Sequence, residues 1–112
     1  MNNRTVLFAL VLGLSLPAAA SFEIVSKAHE VSLTDLRLPG STSGTLTFKP
    51  CNKCDYKTVR VTTQTQYETN RRRLELEDFR KQLGSIRNRQ DVTVTVLHHL
   101  ESDTIKAVRV HY

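Results

Sequence analysis

The chain has no tryptophan, a single methionine, four glycines and only two cysteines in 112 residues, and aromatic residues make up 6% of it. Each shortage excludes something. So few rings leave a stacking platform for bases or sugars poorly supplied. Two cysteines lack the second pair that would complete a four-ligand zinc ribbon. The glycines build no phosphate cradle, because the loop from Gly40 to Gly44 carries no lysine in the phosphate-loop position. No Ser/His/Asp set and no carboxylate pair stands out, so the expectation is a non-enzyme without a cofactor. There is no internal repeat and no low-complexity tract.

Long hydrophobic runs are also missing, with one short exception at the start, MNNRTVLFALVLGLSLPAAASFEIV. Arg4 supplies a positive head, Val6 to Leu16 an apolar stretch, and Ala18-Ala19-Ala20 a small-residue cleavage signal, the layout of a secretory signal peptide. The run ends at Pro17, short of the roughly 20 apolar residues of a membrane span. Cleavage is expected after Ala20, leaving residues 21–112 as one small domain in the periplasm or outside the cell. The formal net charge of +5 suits acidic polymers or anionic surfaces and is equally the ordinary charge of a soluble domain.

Most of the remaining chain alternates. VSLTDLRL (31–38) changes parity part-way, which predicts a bulge or bend, and the residues from Phe22 to His29 before it form a lead-in or first edge strand. Pro39 to Gly44 is a loop. TLTFKP points Leu46 and Phe48 inward, and KTVRVTTQTQ (57–66) is a Val/Thr strand. YETNRRR (67–73) is polar and basic. In LELEDFRKQLGSI the residues Leu76, Phe79, Leu83 and Ile86 recur at three, four and three, one face of a helix, with Glu77 and Asp78 in its first turn and an end either at Gly84 or, since Ile86 fits the same face, a turn later. DVTVTVLHH, ESDT and IKAVRVHY read as a closing hairpin, with a bulge near Ala107 where the parity changes. The expected fold is mainly β: a small five-stranded OB-like Greek-key barrel with one short helix before the C-terminal hairpin, the alternative being an SH3-like barrel or a half-open sheet packed on the helix.

The runs GTLTFKP, TVRVTTQTQYETNRRRLELEDFRKQL and DVTVTVLHHLESDTIKAVRV resemble a group of small secreted bacterial domains of unknown function with an OB-like barrel pattern. The shared features fall on Gly44, Val59 and Val61, Thr65 with Tyr67, Leu76 with Asp78 and Phe79, and Ala107 with Val110, across residues 43–112. The chain departs from that pattern in the longer GSIRNRQD before the hairpin and in its cysteine pair. The resemblance implies a barrel and attaches no activity to it.

Two features remain as candidate sites. Cys51 and Cys54 lie between two strands in KPCNKCDYK. A redox pair wants a helix after the second cysteine, and here a strand comes next. A metal site would have to borrow from His29, His98, His99 and His111, of which His98 and His99 read as strand-end residues beside the hairpin turn. Covalent haem is excluded because Asp55, not histidine, succeeds Cys54. In an oxidising compartment the expectation is a disulfide that stiffens the loop, with a thiol or metal-binding protein as the alternative. The other candidate is an anion-binding face of Arg71, Arg72, Arg73, Arg80, Lys81, Arg87 and Arg89, set against a solvated surface in which Glu75, Glu77 and Asp78 are ion partners. The functional expectation is a binding or interaction module for an envelope protein or anionic polymer, with nucleic acid disfavoured by export.

Overall fold

The computed structural model describes residues 25–112. The expected signal peptide at 1–20 lies outside the described residues. The chain forms seven strands and one helix in order: β1 (Ser26–Ser32), β2 (Leu36–Arg37), β3 (Thr45–Phe48), β4 (Lys57–Thr69), β5 (Arg72–Leu74), α1 (Leu76–Gly84), β6 (Thr93–His99) and β7 (Thr104–Val110). The strands make one curled, half-barrel sheet in the order β1-β6-β7-β4-β3-β2, with β5 paired to the end of β4. All pairings are antiparallel except β4 with β7, which run parallel across the chain segment that contains the helix.

The parity change expected within 31–38 is a 3-10 turn over Leu33–Asp35 that separates β1 from β2. Ser32 Oγ accepts from the Thr34 amide, and the Leu33 amide donates to Val92 O at 2.9 Å, so the bend is anchored to the start of β6. One bent run of chain thereby supplies both outer strands of the sheet. The strand count exceeds the five expected for two reasons. The bend divides the first strand, and the basic segment after Gln66 continues β4 to Thr69, reverses at Asn70 (φ 47°) and Arg71 (φ 72°), and returns as β5. Positive φ at both central residues is the geometry whose twist matches a two-residue hairpin.

The alternating residues do bury one face. Leu46, Phe48, Val61, Val94, Val96, Ile105, Val108 and Val110 are almost wholly shielded from solvent. Helix α1 adds Leu76, Phe79 and Leu83, with Ile86 just beyond its end, the face read from the spacing. It stops at Gly84 because its last carbonyls find other donors: Ser85 Oγ reaches Gln82 O at 2.7 Å and Arg89 Nη1 reaches Leu83 O at 2.6 Å. In the closing hairpin the register slips at Lys106, between Ile105 and Ala107, so that Ile105, Ala107 and Val108 are all buried.

Candidate functional site

Strand β4 has a stretch with no strand beside it. It pairs with β3 as far as Arg60, with β5 only from Tyr67, and with β7 at Arg60, Val61 and again from Gln66. Residues Thr62 to Thr65 thus lack a ladder partner on either side, and their polar backbone groups need substitutes. Threonine hydroxyls provide them. The Thr62 amide donates to Thr65 Oγ1 at 2.9 Å, the Gln64 amide to Thr62 Oγ1 at 3.1 Å, and Thr65 Oγ1 itself donates to Ile105 O at 2.6 Å. The last bond returns to β7 a contact that the gap removes.

Over this gap lies a groove of 780 Å³. Its floor is Thr62 to Tyr67. Thr42 from the β2–β3 loop, Ser102 from the β6–β7 turn, Thr104 at the start of β7, Arg73 on β5 and Glu75 between β5 and α1 form its sides. The loop is positioned by the Val61 amide, which donates to Gly44 O at 2.9 Å. The turn is positioned by His99, itself part of the lining, whose Nδ1 accepts from the Ser102 amide at 3.3 Å. Hydroxyls and amides dominate the lining, with the cations Arg73 and Lys106 opposed by the single carboxylate Glu75. Tyr67 turns its ring inward against Phe79, with ring centroids 5.2 Å apart, and burial pushes its phenol up to about 12. The groove therefore offers polar hydrogen-bonding groups rather than an aromatic platform.

The basic residues singled out in the sequence sit on successive elements. Arg71 and Arg72 are exposed at the β4–β5 turn, Arg73 lines the groove, and Arg80 and Lys81 flank a shallow depression on α1 together with Glu77. Arg87 is exposed beyond the helix, whereas Arg89 is committed to Leu83 O as a helix cap. None of the seven forms an ion pair among the described residues.

Cys51 and Cys54 are joined as a disulfide, and the Cys54 amide donates to Cys51 O at 3.1 Å. They close a tight turn in the β3–β4 connection. Past Cys54 the chain runs through Asp55 and Tyr56 directly into strand β4, the strand read there from the sequence. Among the described residues no three His, Cys, Asp or Glu side chains gather closely enough to hold a metal ion, and no helix is long and apolar enough to cross a membrane.

A pair of histidines in the core was not expected. His98 is buried, not a loosely held strand end, because it shares parity with Val94 and Val96. Its Nε2 donates to Asp103 Oδ1 at 2.7 Å, and its Nδ1 has no partner among the described residues. His29, on β1, is buried 6.3 Å from it ring to ring and 5.2 Å from Phe48, with Nε2 also unpartnered. Desolvation, and then Lys27, His98 and Lys57, hold its pKa below the usual histidine value. The signal for His98 lies in the alternation of β6, which continues to the strand's last residues.

No family model matches this chain, and no curated protein and no solved structure matches it.

Proposed function

We propose that the protein is an exported binding module, built on a five-stranded Greek-key barrel of OB type, that takes an anionic, hydroxyl-rich envelope polymer in the groove over Thr62 to Thr65. Three features support the barrel reading. With β1 and β2 taken as halves of one bent strand, the sheet order returns to the strand it began with. With β5 also counted as the returning end of β4, the parallel pair is the third and fifth strands, and the helix precedes the last two. Barrels of this type bind polymers on the face between the loop after the first strand and the loop joining the last two. The groove lies there, between Thr42 and Ser102.

The observation that carries the ligand class is the lining itself. Threonine, serine and glutamine groups can exchange hydrogen bonds with sugar hydroxyls, and Arg73 and Lys106 supply two cations for acidic substituents. An acidic glycan fits this pattern, and an envelope protein with an acidic extended segment is the runner-up. Retention of the purified protein on an immobilised polyuronate tests it. Replacing Arg73 and Lys106 by serine is expected to weaken retention about tenfold or more. Replacing Arg71 and Arg72 instead should change it little. Equal retention by all variants dismisses the groove.

A further inference from the structure

The disulfide loop lies apart from that groove, since none of the residues from Thr45 to Arg60 lines it. The residues around Cys51 and Cys54 form a basic patch around one ring. Tyr56 is 44% exposed, a large aromatic left at the surface. The Arg37 guanidinium lies 5.0 Å from its ring centroid and Lys49 Nζ lies 5.5 Å from it. Lys53, within the disulfide ring, and Lys57, at the start of β4, add two further cations, and Asp55 is the one carboxylate between Lys49 and Lys57. None of these four cations forms an ion pair among the described residues.

Two cations at one ring are each attracted by its π-electrons and repelled by each other. An anion placed between them relieves that repulsion. The loop that holds them is stiffened covalently, so less conformational freedom is lost on docking than an open loop would lose. We propose that this loop end is a protein-docking surface that engages an acidic face of a partner protein, with Tyr56 as the anchor and Arg37 and Lys49 as its paired cations. Tyrosine and arginine are the residue types that dominate such contacts energetically. A lipid surface fits less well, because one exposed ring and four cations give only a marginal hold on a bilayer. The inference is independent of the groove and survives if the groove binds nothing.

An NMR titration of the labelled protein with poly-L-glutamate at low ionic strength tests it, with anionic phospholipid vesicles as the second arm. The expected result is amide shifts confined to Arg37, Thr47 to Phe48 and Lys49 to Thr58, reversed by salt. Binding by R37Q/K49Q should weaken about tenfold, and by Y56A comparably. The variant C51S/C54S keeps every charge and should still weaken about threefold, because only its rigidity is lost. Three results would overturn the proposal: shifts centred on Arg71 to Arg73 or the groove, equal binding by all variants, or binding to vesicles but not to polyglutamate.

Discussion

The two ends of the core are built from different materials. At one end, where Val94, Val110 and Thr69 lie side by side in adjacent strands, helix α1 covers the sheet. Phe79 packs on Tyr67 there, whose buried hydroxyl has no partner among the described residues, and Thr69 Oγ1 donates to Gln82 Oε1 at 3.0 Å. Tyr112 adds a second bond to the same Gln82 oxygen at 3.1 Å. At the other end, where Val61, Ile105 and His98 adjoin, no helix covers the core. His29 and His98 fill it with imidazole, and two buried ring nitrogens lack partners. The first end holds a phenol that burial pushes up to about 12, whereas the second holds His29, whose pKa burial lowers. The β6–β7 turn belongs to the second end, and the groove spans both, from Tyr67 and Leu76 to Ser102 and Ile105.

The largest effect should come from the covered end. Phe79→Ala removes a fully buried ring and is expected to cost about 3–5 kcal/mol of stability in urea unfolding. A loss below about 1 kcal/mol would mean that the helix is not part of the cooperative core. A smaller effect is expected from Thr65→Val beside the histidines. It strands Ile105 O and the Thr62 amide without their hydroxyl partner, and should cost about 1–3 kcal/mol while keeping the shape of the side chain. An unchanged midpoint would show that the gap in β4 needs no internal support.

The smallest effect at neutral pH should be that of His29→Leu, and its meaning lies in the pH dependence. Because the folded protein holds His29 below its ordinary value, the unfolded chain takes up the proton more readily. Stability is therefore full above the unfolded value near 6.5 and declines as the pH falls below it. Lys27 and Lys57 deepen that penalty, and the neighbouring carboxylate Asp103 is engaged with His98. Thermal unfolding between pH 7.5 and pH 5 should show a falling midpoint in the natural protein and a shallower fall in His29→Leu. Parallel curves for the two would locate the acid sensitivity elsewhere.

Some of this was legible in the residues. Leu76, Phe79 and Leu83 repeat along a single helix, so their common face comes from local geometry. The threonine and valine alternation of β6 and the two-sided hairpin are equally local. The groove was hidden by that same regularity. Along β4 the residues Val59, Val61, Thr65, Tyr67 and Thr69 keep one parity and are buried, and only Thr63, exposed on that same parity, marks the break. The irregularity is in the register, because between the pairs Val61–Ile105 and Gln66–Ala107 β4 advances by five positions while β7 advances by two. Among the basic residues, Arg89 looked identical in kind to Arg87. Only the helix end that Arg89 caps distinguishes them.

By itself the sequence determined the periods, the turns, the helix face and the chemistry of a cysteine pair set between strands, because each depends on residues a few positions apart. The parallel pairing of β4 with β7, the burial of His29 beside His98 and the groove over Thr62 to Thr65 were decided only by the tertiary structure. They depend on contacts such as Thr65 with Ile105, 40 residues apart, whose register no local pattern encodes.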